Sequence, residues 1–308
     1  MTRTRLLDPQ ERQIGLNDRA TSFSLSRALP RLTIEARRLS ANVVAGIHGR
    51  RRAGQGETFW QFRSFTPGEP VSRIDWRRSA RDDRITIRDR EWEASQTVWL
   101  WIDRSPSMAF VSALAKAPKL ERAVVIGLAA ADMLVRGGER AGLLGLTNPI
   151  ASRAVIERLA DALALQGDAP AEMPPAMPLP SRSEAILVSD FIHPLPELRD
   201  RFRLLAERRA RGHLIAIADP AEETFPFSGH NEFFGSEPGP SLRVGDSTGF
   251  GAAYRQRIGE HREGLRAIAR ELGWSFHLHR TDRPASELLL ALRMILESGQ
   301  SAPMATGA

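Results

Sequence analysis

The chain has 308 residues, of which 42% are hydrophobic, and this is enough to build a folded core. It contains no cysteine, which excludes disulfide bonds, a thiolate nucleophile and a zinc–thiolate site. No run of about 18 apolar residues is present, and no apolar leader precedes a small-residue cleavage site. The sequence therefore predicts no membrane insertion.

The formal net charge of +6 is confined to the first third of the chain. Residues 1–96 hold 19 basic and 12 acidic side chains, whereas residues 97–308 hold 24 and 25. Lys116 and Lys119 are the only lysines, so almost all of the basic residues are arginines. Because arginine pairs with carboxylates as well as with phosphates, this charge does not require nucleic-acid binding.

The N-terminal third differs in kind from the remainder. Residues 1–28 are polar and predict a tail without stable order. An amphipathic helix is predicted over residues 29–47 within an N-terminal segment, 29–96. Its second half, residues 50–96, favours extended segments and turns, with a turn at Pro67–Gly68.

Residues 97–298 alternate apolar runs with amphipathic stretches, followed by a tail at 299–308. This alternation is typical of an α/β, Rossmann-like domain with a mainly parallel sheet flanked by helices. The predicted strands are 97–103, 140–146, 185–190, 213–219 and 274–279. The predicted helices are 119–136, 156–165, 195–210, 250–272 and 284–297. A short edge strand at 151–155 is expected to pair with 140–146 as a hairpin.

Two long irregular segments interrupt this alternation. Residues 167–183 contain five prolines and predict a surface loop. Residues 220–248 exceed an ordinary connection in length and contain four phenylalanines, which indicates that this segment packs on another part of the protein.

Three of the five predicted strands end in aspartate: Asp103, Asp190 and Asp219. Parallel strands deliver such residues to one edge, where ligands bind at the point of strand-order reversal. Asp103 also opens the pattern Asp-x-Ser-x-Ser with Ser105 and Ser107. Because Mg²⁺ prefers carboxylate, hydroxyl and water oxygens, Asp103, Ser105, Ser107 and Asp190 are candidate metal ligands. Asp219 is a lesser candidate.

The same residue types also have a structural interpretation. Aspartate, serine and proline after a strand are typical of a turn or a helix N-cap, and Ser105–Pro106 fits such a turn without any ion. Asp219, which precedes Pro220, is better explained as a cap than as a ligand.

The segments WLWIDRSPSM and ILVSDF resemble the metal-ion-dependent adhesion site of von Willebrand factor A domains. In that site the first strand ends in Asp-x-Ser-x-Ser and a later strand supplies an aspartate. The upstream segment Gly49–Glu93 is similar to the bacterial domain of unknown function 58 family. The shared signature comprises a Gly/Arg-rich start, a Pro-Gly turn, an Arg-x-Ile-Asp-Trp core and a Ser-Ala-Arg step.

This resemblance covers residues 30–298 and implies a von Willebrand factor A-like fold. It also implies a cytoplasmic bacterial protein that works with a MoxR-type AAA+ ATPase and with other von Willebrand factor A-like proteins in a chaperone-like or metal-insertion assembly. The cofactor it implies is Mg²⁺ or another divalent cation.

Two positions depart from the adhesion-site pattern. The threonine expected after the helix at 156–165 is absent from LALQGDAPAE, and Thr147 lies in a different loop. The glycine that usually follows the later aspartate is Phe191. The resemblance therefore predicts a weak or water-completed ion site.

The arginine-rich signature contains candidate partner-docking residues. These are Arg73, Asp75, Trp76, Arg77 and Arg81. Exposed tryptophan and arginine are typical of protein interfaces. The alternatives are internal ion pairs that hold the segment on the sheet domain, and phosphate contact through residues 50–52.

Enzyme motifs for nucleotide phosphates, acyl transfer or zinc hydrolysis are absent from the sequence. The leading hypothesis is therefore a non-enzymatic adaptor that presents an ion to a partner carboxylate. The alternatives are a metal-dependent hydrolase that uses the same sheet edge and a basic nucleic-acid-binding protein.

Overall fold

The computed structural model describes residues 18–48, 59–66, 69, 71–81, 84–90, 95–166, 172–181, 183–233, 242–245 and 247–300. The chain divides into two compact units: Ala45–Ser95 forms one, and Met1–Val44 together with Gln96–Ala308 forms the other. The predicted turn at Pro67–Gly68 and most of the predicted N-terminal tail lie outside the described residues.

The described residues form eight α-helices and nine strands. The helices are α1 (Asp18–His48), α2 (Trp76–Ser79), α3 (Lys119–Arg136), α4 (Val155–Leu165), α5 (Leu195–Ala206), α6 (Pro220–Thr224), α7 (Ser247–Glu271) and α8 (Ala285–Gln300). The strands are β1 (Phe59–Ser64), β2 (Thr86–Arg90), β3 (Thr97–Ile102), β4 (Arg140–Leu143), β5 (Ser183–Ser189), β6 (Arg211–Ala218), β7 (Asn231–Phe233), β8 (Leu242–Val244) and β9 (Ser275–Arg280).

The larger unit contains a five-stranded sheet in the order β4-β3-β5-β6-β9, and every pair in it is parallel. This confirms the predicted α/β class with a mainly parallel sheet. After β3 the chain places β4 on one side of it and β5 on the other. The strand order therefore reverses between β3 and β5, and the crevice at their carboxyl ends is where such sheets bind ligands.

Helices cover both faces of this sheet. One apolar cluster joins β3, β4 and β5 to α1, α3, α4 and α8, and a second joins the opposite face to α5 and α7. Every residue of β5 is buried, as expected for a central strand covered on both faces. Because α3 and α5 lie on opposite faces, the loops after β3 and β5 diverge and leave the crevice between them.

Helix α1 begins at Asp18, eleven residues before the predicted start at residue 29. Pro30 therefore lies inside the helix. Leu25, Leu29 and Leu32 are all buried in the core, so tertiary packing continues the apolar face through the proline.

The predicted edge strand at 151–155 is reduced to a single antiparallel bridge. Ala141 and Ile150 exchange backbone hydrogen bonds of 3.0 and 2.7 Å, and no strand continues from residue 151 to 154. A helix, α4, begins at Val155 because Val155, Ile156 and Leu159 are buried at helical spacing.

Gly212 on β6 lies directly beneath the ring of Trp274. A Cβ at position 212 would lie 2.2 Å from Trp274 Cδ2. The indole is held because its N–H donates to Ala210 O at 3.0 Å. Gly212→Ala is therefore expected to lower the free energy of unfolding by about 1–3 kcal/mol through overpacking, measured by urea denaturation.

Gly259→Ala is the matched control for this prediction. Gly259 is exposed in the middle of α7, and nothing lies within 4 Å of a Cβ placed there. The control is expected to raise stability by about 0.5–1 kcal/mol, since alanine loses less backbone entropy than glycine. A Gly212→Ala protein as stable as the parent would contradict the packing described for Trp274.

Within the described residues, no helix combines the length and the apolar character that a membrane span requires.

Candidate ion-binding site

The predicted site residues lie at the carboxyl ends of β3 and β5, on the two sides of the strand-order reversal. Asp103 directly follows β3 and extends its ladder, since its N–H donates to Val188 O at 2.9 Å. Asp190 directly follows β5. The parallel pairing of β3 with β5 therefore brings the two aspartates to one edge.

Asp103 is fully buried, and both of its carboxylate oxygens accept hydrogen bonds from protein groups. Oδ1 accepts from the Ser105 N–H at 2.7 Å, and Oδ2 accepts from Ser189 Oγ at 2.5 Å. Burial, together with the negative charge of Asp190, raises the pKa of Asp103 to about 6, although the bonds from Ser189 and Ser105 oppose this shift. Among the described residues, hydrogen bonds rather than a directly contacting cation hold this carboxylate in place.

Three other oxygens form a short chain beside Asp103. Ser105 Oγ lies 3.1 Å from Ser107 Oγ, and Ser107 Oγ donates to Asp190 Oδ2 at 2.7 Å. The structural interpretation of Ser105 also holds, because it precedes the 3₁₀ turn Pro106–Ala109 in an extended conformation. The turn and the oxygen chain are compatible, since the turn is what aims Ser105 and Ser107 at Asp190.

The spacing of these oxygens fits a small divalent ion. Adjacent ligands in an octahedron with Mg²⁺–oxygen bonds of about 2.0–2.1 Å are about 2.9 Å apart. The two spacings in the chain, 3.1 and 2.7 Å, lie on either side of this value. Among the described residues, no group of three or more His, Cys, Asp or Glu side chains could hold a metal, so an ion at this edge depends on hydroxyls and water.

Lys119, at the first position of α3, is a further member of the site that the sequence did not indicate. It is 1% exposed, and its Nζ donates to Asp190 Oδ2 at 2.8 Å and to Glu222 Oε1 at 2.6 Å. A buried ammonium therefore contacts the same carboxylate oxygen that Ser107 contacts. The only available signal was compositional: Lys119 is one of two lysines among 43 basic residues.

The charges of Lys119 and Glu222 depend on each other. Burial disfavours the ammonium, but the carboxylates of Asp190 and Glu222 outweigh it and raise the pKa of Lys119. For Glu222 burial dominates and raises the pKa, although Lys119 opposes that shift. Asp190 and Glu222 thus share a single ammonium.

Asp219 is a structural cap. Its Oδ1 accepts from the Ala221 N–H at 2.8 Å, while the Asp219 N–H donates to Glu222 Oε2 at 2.8 Å, which completes a capping box at the start of α6. Oδ2 accepts from the Ser112 N–H at 2.9 Å. Asp219 thereby joins the loop between β3 and α3 to the helix that carries Glu222.

Phe191 adopts the left-handed backbone that favours glycine, with φ of 53°. Its ring is 1% exposed and packs edge-on against Phe202 with a centroid separation of 5.8 Å. The Phe191 carbonyl lies 2.7 Å from His261 Nε2 on α7. Core packing thus holds a phenylalanine in a backbone conformation that glycine adopts more readily.

The loop after α4, where the adhesion-site pattern expects a threonine, contributes no hydroxyl to the site in the described residues. After α4, Gln166 Oε1 accepts a hydrogen bond from the side chain of Arg104, and residues 167–171 lie outside the described residues. Thr147 Oγ1 accepts from the Leu143 N–H at 2.9 Å, which commits it to the turn after β4. Neither Gln166 nor Thr147 extends the oxygen chain.

The phenylalanine-rich segment packs on itself and on α7, as expected from its composition. Phe225 lies 4.9 Å from Tyr254 and 5.7 Å from Phe250 between ring centroids. Burial and the charge of Glu222 raise the pKa of Tyr254 to about 12. The aromatic cluster therefore lies beside the helix that carries Glu222.

In the smaller unit, β1 pairs with β2 and the docking candidates surround the short helix α2. Trp76 is 61% exposed, and Arg77 and Arg81 are also exposed. Asp75 accepts from the Arg78 N–H at 3.0 Å as the N-cap of α2, so its carboxylate has a local structural role. Arg73 ends a 3₁₀ turn, and its side chain lies outside the described residues.

The fold and site together define a three-layer α/β protein with an oxygen-rich cluster at the strand-order reversal. The chain matches the family described as "Protein of unknown function DUF58" over residues 61–264. It therefore belongs to this family, as its arginine-rich signature predicts.

Curated relatives include "Uncharacterized protein Rv1480" of Mycobacterium tuberculosis and "Uncharacterized protein Mb1516" of Mycobacterium bovis. Each is 25% identical over 276 residues, which cover 84% of this chain and 86% of the relative.

Two solved structures are also similar. The conserved hypothetical protein BatB from Bacteroides thetaiotaomicron has 14% identity and a TM-score of 0.33, and the match covers 67% of this chain and 100% of that chain. An aerotolerance-related membrane protein from Bacteroides fragilis has 14% identity and a TM-score of 0.36 over 66% of this chain and 100% of that chain.

Proposed function

We propose that this protein is a non-enzymatic adaptor with a von Willebrand factor A-like domain. It captures a carboxylate of a partner protein through Mg²⁺ or another divalent ion at the β3–β5 edge, and it works with a MoxR-type AAA+ ATPase. The observation that carries the proposal is the oxygen chain of Ser105, Ser107 and Asp190 at the strand-order reversal, with spacings of 3.1 and 2.7 Å.

The chemistry of these donors suits such a role. Two serine hydroxyls are neutral, so an ion held by them and by Asp190 keeps net positive charge toward a partner. Asp103 adds negative charge on the buried side of the site, while its own oxygens accept from Ser105 and Ser189. An acidic side chain of a partner would complete the coordination of the ion.

Exposed apolar side chains beside this edge support partner docking. Ile192, two residues after Asp190, is 52% exposed. Val111 and Leu114 are 38% and 52% exposed in the loop that Ser112 ties to Asp219. Exposed apolar side chains that are grouped on one surface are typical of a protein-binding site.

The choice of ATPase follows from the family resemblance, and the exposed Trp76, Arg77 and Arg81 are the proposed docking residues for it. An acidic face on the ATPase would suit the two arginines. The cytoplasmic location remains a prediction from the sequence.

The proposal predicts ion-dependent capture of the purified MoxR-type ATPase from the same genome. Binding is expected to need Mg²⁺, to be lost in EDTA, and to fall at least about tenfold in Ser107→Ala, because one hydroxyl ligand is removed. Binding would be measured by biolayer interferometry with immobilised adaptor. Ser152→Ala, in the loop after β4, is the control and should bind as the parent does.

Equal binding with Mg²⁺ and with EDTA would exclude ion-mediated capture. Unchanged binding in a Trp76→Ala and Arg77→Ala double variant would exclude the smaller unit as the docking surface.

A further inference from the structure

Lys119 has no role in the adaptor mechanism proposed above, although it is among the most deeply buried side chains of the protein. Its side chain is 1% exposed, and the Asp190 side chain it contacts is 4% exposed. Burying an ammonium is costly unless carboxylates compensate for it, so a lysine held in this way at a ligand edge calls for an explanation.

The carboxylate oxygen that Lys119 contacts also belongs to the candidate ion site. Asp190 Oδ2 accepts from Ser107 Oγ at 2.7 Å and from Lys119 Nζ at 2.8 Å. In the proposed ion site, Asp190 is the carboxylate that accepts from the Ser107 hydroxyl. The ammonium and a divalent ion would therefore compete for the same carboxylate.

Glu222 offers the ammonium a second partner. Its Oε1 accepts from Lys119 Nζ at 2.6 Å, while its Oε2 caps α6 by accepting from the Asp219 N–H at 2.8 Å. The capping box holds Glu222 in place whether or not Lys119 contacts Asp190. Lys119 can thus lose its contact with Asp190 and retain its ion pair with Glu222.

We propose that Lys119 is an internal cation that holds Asp190 in the ion-free protein, and that a divalent ion binds by taking Asp190 from it while Glu222 retains the ammonium. This inference rests on the ion site of the proposed function and concerns how that site is controlled. It makes Lys119 a determinant that weakens ion binding and Glu222 one that strengthens it.

Opposite changes in ion affinity test this inference. Isothermal titration calorimetry with Mg²⁺ alone, and separately with Mn²⁺ alone, would compare the purified variants. Lys119→Met is expected to bind the ion at least about tenfold more tightly than the parent, because the competing charge is removed. Glu222→Gln is expected to bind at least about fivefold more weakly, because the ammonium then has only Asp190 as an ionic partner.

Two further variants control for the substitution itself and for loss of folding. Lys116→Met makes the same substitution at an exposed lysine three residues upstream and should leave the affinity unchanged. The double variant Lys119→Met with Glu222→Gln removes one charge of each sign, so it retains a folded site if Lys119→Met alone does not. It is expected to bind the ion more tightly than Glu222→Gln.

The outcomes separate this inference from the proposed function. Equal ion affinity in the parent, Lys119→Met and Glu222→Gln would overturn the competition and leave the ion site intact. No detectable ion binding in any variant would overturn both. Competition confirmed by calorimetry, without any ion-dependent capture of the ATPase, would support this inference and contradict the adaptor proposal.

Discussion

Replacing Lys119 with methionine is expected to lower the free energy of unfolding by about 3–5 kcal/mol at pH 7.5 in EDTA, because it leaves Asp190 and Glu222 buried without their cation. Methionine fills a similar volume, so the loss reports charge more than packing. The raised pKa of Lys119 means that its contribution is fully present below the unfolded value of 10.5 and is lost only as pH rises through the higher folded value.

Urea denaturation at two pH values measures this effect. The stability deficit of Lys119→Met is expected to shrink at pH 4. Burial raises the pKa of Glu222, so its neutral form is favoured at that pH and needs no cation. Lys116→Met, at an exposed lysine, is the control and should change stability by less than about 0.5 kcal/mol. A Lys119→Met protein as stable as the parent in EDTA would contradict the buried ion pairs.

Asp103→Asn is expected to stabilise the ion-free protein near neutral pH, in contrast to most changes at a buried charge. The shift of the Asp103 pKa from 3.8 to about 6 corresponds to roughly 3 kcal/mol that folding loses when this carboxyl is ionised. The stability that the parent has with a protonated Asp103 is fully present below pH 3.8 and is lost as pH rises through about 6. Asparagine keeps an oxygen that can accept from the Ser105 N–H and removes the repulsion with Asp190.

Thermal or urea unfolding of the parent and of Asp103→Asn between pH 4 and 7.5, in EDTA, measures the difference. The two proteins are expected to have similar stability near pH 4 and to diverge by up to roughly 3 kcal/mol by pH 7.5. With Mg²⁺ present, the order is expected to reverse, because the charge of Asp103 attracts the ion and the bound ion therefore stabilises the parent more than the variant. A variant less stable than the parent at every pH, with and without Mg²⁺, would show that Asp103 has only a structural role.

A buried site residue whose neutralisation raises stability is typical of a functional position. Ser105 N–H and Ser189 Oγ donate to the Asp103 carboxylate, and Phe191 N–H donates to Ser189 Oγ. Among the described residues, no cationic side chain contacts this carboxylate directly. Such an arrangement sacrifices stability unless a ligand compensates for the charge. The proposed ion supplies that compensation.

Much of the sheet domain could be predicted from the sequence because its elements follow simple periods. Helix α3 was predicted at 119–136 and spans those residues, and β3 was predicted to within one residue. The apolar runs are short and β-rich, whereas the helices have apolar residues at helical spacing, so local pattern and tertiary burial agree. The aspartates at strand ends followed from the same periodicity.

The predictions failed where local signals and packing disagreed. The helix was predicted to start at residue 29, but Leu25 and Leu29 are both buried, and α1 begins at Asp18 and runs through Pro30. The strand expected at 151–155 was lost because burial of Val155 and Ile156 favours α4 instead.

For the site, the strand-end edge, the pattern of Asp103, Ser105 and Ser107, and the later Asp190 could all be predicted from the sequence. The contacts of Lys119 and Glu222 with this site could not, because these residues come from the starts of α3 and α6 and lie 103 positions apart in the chain. Their charges matter only when burial removes water from between them, and burial is a property of the packed sheet and helices rather than of any short segment.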